Sequence, residues 1–188
     1  MHIEYKRQSL HIALFILAFA LKWLTRPQAL AVLFGLFIFV TVLLPRWQHR
    51  HHFYRLHERR YSYGAIFYVL VLLLLIVLFD PAVVAGSWAI LALGDGFATL
   101  VGKHFRARPL PWNPNKTYAG TAAFFVCGSL GASLLLFWML PSLGGAQLWK
   151  IALSTTAIAS LVESLPWRVN DNISVPLTSA LLLHFFLS

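Results

Sequence analysis

The chain has 188 residues, 59% of them hydrophobic and 11% charged, with a formal charge of +9 at pH 7. Soluble domains average roughly 45–50% apolar residues, so the composition excludes an ordinary soluble enzyme and leaves room for one membrane domain. No basic face or base-reading motif accompanies the charge, which excludes nucleic acid as a partner, and the lone Cys127 excludes an intrachain disulfide.

Hydrophobic runs fall near 9–24, 28–45, 63–79, 81–101, 117–140, 146–166 and 172–187. The expected fold class is all-α, a polytopic integral membrane protein of about seven transmembrane helices, several shorter than an ideal span of roughly 20 residues. It forms a single transmembrane domain, 1–188, with cytoplasmic catalytic loops at 46–62, 103–116 and 164–172. If the segments alternate, twelve Lys and Arg residues lie on one side and only Lys22, Arg26 and Lys150 on the other. The positive-inside rule makes the first side, and with it the N-terminus, cytoplasmic, with a bacterial inner membrane as the expected setting. Of the six acidic residues, Glu4, Glu58, Asp95, Glu163 and Asp171 fall on or near that face. Their convergence suggests one active-site mouth.

In the first segment Glu4, Arg7 and His11 stand at i, i+3 and i+7, one face of a helix. That pattern argues against a cleaved secretory leader, although a basic start and an apolar run ending Ala18-Phe19-Ala20 imitate one. Residues 46–64 hold five aromatic residues and four histidines without zinc-ligand spacing. They read as an interfacial helix with Phe53 and Leu56 toward lipid and arginines toward headgroups or nucleotide phosphates. Asp80-Pro81 reads as an N-cap followed by Pro at the first helical position.

Residues 94–120 are the most informative. Gly94, Ala98 and Gly102 recur every four residues, a small-residue stripe that lets another helix approach closely. Asp95 lies beside that seam. An ionised residue inside a bilayer costs roughly 2.5–3.5 kcal/mol even on insertion scales, so Asp95 either pairs with a cation to hold helices together or ligates Mg²⁺, which takes one or two carboxylates plus substrate phosphates. Residues 103–116 then form a loop with four cations (Lys103, Arg106, Arg108, Lys116) and three prolines. Asn115, Lys116 and Thr117 open the next helix, with Gly120 and Thr121 one turn in, and such a helix start is a ready phosphate site. Farther on, Glu163 stands at the cytoplasmic end of the sixth segment, where it could supply a second metal ligand or hold the basic loop. Asp171 or Asn172 reads as an N-cap of the seventh.

These motifs resemble the polyprenol kinase family, which includes dolichol, phytol and farnesol kinases, within the wider group of CTP-dependent membrane transferases. The resemblance runs almost end to end: Glu4-x-x-Arg7-x-x-x-His11, an Arg-rich loop leading to Gly64, Gly94-Asp95-Gly96-x-Ala98 with Gly102, Lys116-Thr117-x-x-Gly120-Thr121, Glu163-x-x-Pro166 and Asp171-Asn172-x-x-x-Pro176. It implies transfer of the terminal phosphate of CTP, with ATP as another candidate donor, to the hydroxyl of an isoprenoid alcohol such as phytol, farnesol, geranylgeraniol or a polyprenol. It implies Asp95, Lys116 and Glu163 as catalytic residues and Asp95, Glu163 and Asp171 as Mg²⁺ ligands. Gly94, Gly96, Lys103, Asn115, Lys116, Thr117, Gly120, Thr121, Arg59 and Arg60 would contact the nucleotide. Glu4, Arg7, His11 and Asn172 would serve the substrate or the structure. Three positions depart from the family pattern. Ala119 stands where Glu is usual, Arg106 where a second Gly is common, and Asn170 replaces the first Asp of a D-D-N.

Two rival readings keep the same residues. A cytidylyltransferase would also use CTP and Mg²⁺ but would make a CDP-lipid. A non-enzymatic transporter or lipid-binding protein would use Asp95 and Glu163 as ion pairs or proton carriers. Partners are thus a nucleoside triphosphate, an isoprenoid lipid and the bilayer, with homo-oligomerisation left open.

Overall fold

A computed structural model describes residues 2–47, 61–105, 108–167 and 169–188, with side chains from Arg7 onward. The expected interfacial helix around Phe53 and Leu56, the positions Arg59, Arg60, Arg106 and Arg168, and the side chain of Glu4 lie outside the described residues. Among the described residues, helices occupy every hydrophobic run. Helix α1 (His2–Ala13) continues through α2 (Phe15–Ala18) and a short 3₁₀ turn, followed by α3 (Arg26–Ile38), α4 (Tyr63–Leu78), α5 (Pro81–Ala89) and α6 (Gly96–His104). A hairpin of β1 (Pro109–Leu110) and β2 (Asn113–Thr117) leads into α7 (Tyr118–Met139), α8 (Gly145–Ser164) and α9 (Asp171–Leu187).

Three stretches, Arg26–Arg46, Pro81–His104 and Tyr118–Met139, are long and apolar enough to cross a membrane, while Tyr63–Leu78 and Asp171–Leu187 are apolar but shorter. The fold is therefore mostly helical, with apolar helices suited to a bilayer by length and composition and one element that an all-α reading omits. Residues 109–117 pair as an antiparallel hairpin rather than an irregular loop. The prolines explain this: they deny the segment a helix while leaving extended backbone available.

Helix α7 is the central post. Its Gly128 lets the backbone of Gly94 come so near that an added Cβ would sit 3.5 Å from Gly94 Cα, and the Phe124 ring closes over Gly94. A Cβ on Gly120 would meet Ala98 O at 3.0 Å and Thr117 Oγ1 at 2.9 Å. The stripe Gly94, Ala98, Gly102 thus packs against Gly120, Phe124 and Gly128, as the four-residue spacing predicts.

Two further devices set the ends of the bundle. Between α5 and α6, residues Ile90–Asp95 form a π-helical turn that ends on Asp95. Such turns interrupt α-helices with one wider ring and gather at functional sites. At the opposite end, Lys22 donates to Trp138 O at 2.6 Å and stacks over its ring, while Arg26 pairs with Asp80 at 3.9 Å. Asp80 occupies the N-cap of α5 with Pro81 behind it, as expected, though its side chain accepts no capping bond.

Candidate active site

Three elements bring carboxylates together. Asp95 comes from the π-helical turn, Glu163 from the last turn of α8 and Asp171 from the first turn of α9. One oxygen of each lies within 4.8 Å of the others. Lys116, on β2, reaches into the same space and donates to Glu163 Oε1 and, at 2.7 Å, to Asp171 Oδ2. Glu163 is buried, with its Oε2 accepting no hydrogen bond. Burial alone would pull the Lys116 ammonium toward its neutral form, but the charges of Glu163, Asp171 and Asp95 outweigh it and hold its pKa above the ordinary lysine value.

The donor set fits a hard divalent cation. Carboxylate oxygens are the ligands Mg²⁺ prefers, and two on opposite sides of it lie roughly 4.2 Å apart, a separation inside the 4.8 Å spread of this cluster. One ammonium among three carboxylates leaves two negative charges, the complement of a single divalent ion. The unpartnered, buried Glu163 Oε2 is the acceptor such an ion would satisfy.

The hairpin is what delivers Lys116. Asn113, buried, donates to Ser164 O and Leu165 O at 3.1 Å each, and Trp112 Nε1 donates to Ser164 O at 3.1 Å. The strand is thereby fastened to the open C-terminal carbonyls of α8. Nothing in the sequence reading singled out Asn113; its place between two prolines, in Pro-Trp-Asn-Pro, was the available signal.

Asn170, rather than Asp171 or Asn172, caps α9: its side chain accepts from Asn172 N at 3.0 Å. Asn and Asp cap about equally well, which accounts for the departure at this position. With capping assigned to Asn170, Asp171 is free to pair with Lys116, and Asn172 turns inward to donate to Gly64 O at 2.8 Å.

Two cavities flank the cluster. A cleft of about 780 Å³ lies between the hairpin and the α8–α9 turn, with Lys116, Asp171, Asn115 and the exposed Trp167 in its wall. A largely apolar cavity of about 140 Å³ lies between α1, α3 and α4, and its polar end carries Arg7, His11 and Asn172. His11 joins the two sides: its Nε2 is 3.8 Å from Asp95 Oδ2 and 3.2 Å from Leu91 O, in the π-helical turn.

Several expected nucleotide residues also make contacts within the bundle. Gly94 and Gly96 are buried; Gly96 admits α1, since a Cβ there would meet Ile12 Cγ1 at 2.5 Å. Thr117 caps α7 by accepting from Gly120 N at 3.1 Å, and Tyr118 N donates to Arg108 O, so part of that helix start is already satisfied. The Thr121 hydroxyl is buried without a hydrogen bond, whereas Lys103 and Asn115 are exposed.

The chain is similar to curated phytol kinases. It is 37% identical over 127 residues to the probable phytol kinase 1, chloroplastic, of Oryza sativa subsp. japonica, covering 63% of this chain and 40% of that protein. The same identity over 127 residues relates it to phytol kinase 1, chloroplastic, of Arabidopsis thaliana, with 63% and 41% covered. A probable phytol kinase 2, chloroplastic, of Glycine max is 34% identical over 134 residues, with 66% and 46% covered. The chain thus matches less than half the length of these relatives. No protein-family model and no solved structure matches it. The relatives are members of the polyprenol and phytol kinase family, and the resemblance carried by the motifs is borne out.

Proposed function

We propose that this chain is a membrane-embedded prenol kinase that transfers the terminal phosphate of CTP to the hydroxyl of an isoprenoid alcohol at the cytoplasmic face. The observation that carries the reading is the pair of cavities flanking one lysine–carboxylate cluster. One is wide and polar enough for a nucleotide; the other is narrow and apolar. The kinship with proteins named phytol kinases supports the choice of reaction and acceptor class, and the twelve-to-three division of cations supports the face.

In the mechanism, the donor triphosphate enters the cleft beside the hairpin. Lys116 neutralises charge on its terminal phosphates, and Trp167 offers a ring face to the base. Asp95, Glu163 and Asp171 would hold Mg²⁺, which when bound neutralises charge developing on the transferring phosphoryl group. The alcohol oxygen attacks the terminal phosphorus from the other side. The bond to the bridging oxygen breaks, CDP leaves, and the hydroxyl proton passes to Asp95, the carboxylate beside His11. Phosphoryl transfer asks mainly for positioning and charge neutralisation, and a cluster set between two cavities supplies both.

CTP labelled separately in its terminal phosphate and its cytosine tests the reading. Terminal-phosphate label in the extracted lipid is the expected result. Cytosine label there would replace the kinase with a cytidylyltransferase, and no labelled lipid with CTP or ATP would favour a transporter or binding protein.

A further inference from the structure

We propose that the apolar cavity holds only the hydroxyl-bearing isoprene unit of the acceptor, so that the protein selects its alcohol at that unit and tolerates tails of different length. The proposal rests on the kinase reading and adds to it where specificity is set. The cavity measures about 140 Å³. A dry cavity of about 150 Å³ lined by aliphatic and aromatic side chains takes benzene, and an isoprene unit has one carbon fewer. That volume matches one isoprene unit.

The lining sets the direction of the chain. Tyr68, Val69 and Asn172 are buried, and the polar end holds His11, whose Nε2 is 3.8 Å from Asp95 Oδ2. The apolar rim is formed by Leu10 and Phe39, which are 44% and 39% exposed. Exposed apolar residues on a bilayer protein face hydrocarbon, so a tail leaving between them passes into lipid rather than protein. Phe39 begins a second π-helical turn, Phe39–Leu43, whose Phe39 and Val40 line this wall of the cavity. Each added tail unit then lies outside the protein and contributes little discrimination.

The test uses the purified full chain in micelles at equal mole fractions of geraniol, farnesol and geranylgeraniol, three alcohols with the same first unit. Their kcat/KM values should agree within about threefold, whereas a farnesol analogue with phenyl in place of the first-unit methyl should lose at least about tenfold. Ala65→Phe, which fills the cavity from α4, should raise the KM for every alcohol at least about tenfold and leave the KM for CTP unchanged. A steep dependence on tail length, or an unchanged alcohol KM in Ala65→Phe, overturns the proposal. A farnesol carrying a photoreactive diazirine on its first unit gives a readout independent of turnover, since label is expected on Leu36, Val40 or Val69. Label there without any turnover would keep the cavity assignment and refute the kinase; turnover with label elsewhere would do the reverse.

Discussion

Asp171 and Asn172 are neighbours in the chain, yet they serve different cavities. The Asp171 carboxylate lies 2.7 Å from Lys116 Nζ in the wall of the nucleotide-sized cleft. Asn172 is buried at the polar end of the apolar cavity, donating to Gly64 O at 2.8 Å. Successive helical residues point about 100° apart, as 3.6 residues per turn require, so one turn of α9 can face both cavities. Asn170 makes this possible by taking the cap.

That division of labour predicts the effect of Asn170→Ala. Loss of an N-cap typically costs about 1 kcal/mol, which should lower the melting temperature by a few degrees in a chain of this size. Turnover should fall as well, because the turn that aims Asp171 and Asn172 loosens. Asn170→Asp, which caps a helix about equally well, should leave both close to wild type. Thermal unfolding and prenol phosphorylation assays on the two variants would check this.

Asp95→Asn should leave the fold intact and reduce turnover at least about a hundredfold, since it removes both a hard cation ligand and the proposed proton acceptor. The melting temperature without metal should change little, because the amide keeps the shape of the carboxylate and its place beside His11. A variant that retained activity would remove Asp95 from the reaction.

Lys116 carries a structural burden too. Lys116→Met leaves the buried Glu163 without its cation, and breaking a buried pair typically costs about 3–5 kcal/mol. Adding Glu163→Gln should recover much of that loss, and a double-mutant cycle on thermal stability would measure the coupling. Turnover should recover in neither variant. The pH dependence has a definite sign. Because the folded pKa of Lys116 is raised, its contribution is fully present below the unfolded lysine value and is lost only as pH rises through the folded one. Above the ordinary lysine value of 10.5, wild-type stability should therefore decline through loss of this contribution, a decline that Lys116→Met lacks.

Much of this arrangement was legible in the chain. The hydrophobic runs located the helices, because period and length survive without tertiary information. Asp95, Lys116, Glu163 and Asp171 stood out because ionisable residues are rare in so apolar a sequence. The small-residue stripe foretold its packing seam, where Gly94 meets Phe124, while Gly96 beside it admits α1. The hairpin escaped notice because two short strands joined by a tight turn leave too few residues for an alternating pattern. Asn113 was missed for a related reason: its partners are carbonyls at the far end of α8, about fifty residues away, and no local spacing encodes such a contact. The π-helical turn at Asp95 has no sequence period of its own.

Divalent metal should stabilise the protein through the carboxylate cluster even without nucleotide. A ligand at 100 times its dissociation constant adds about 2.7 kcal/mol, enough to raise the melting temperature by several degrees. Glu163→Gln should abolish that increase, because it removes a negative charge at the buried ligand position. The magnitude should also depend on the cation. Mg²⁺ and Mn²⁺ suit oxygen ligands at short distances, whereas Ca²⁺ prefers longer contacts and more of them. The expected order is therefore Mn²⁺ and Mg²⁺ above Ca²⁺, read as metal-dependent melting temperatures of the chelator-treated protein. Equal shifts in wild type and Glu163→Gln would mean that the ion binds elsewhere, and Glu163 would then be left as a partner of Lys116 and not a metal ligand.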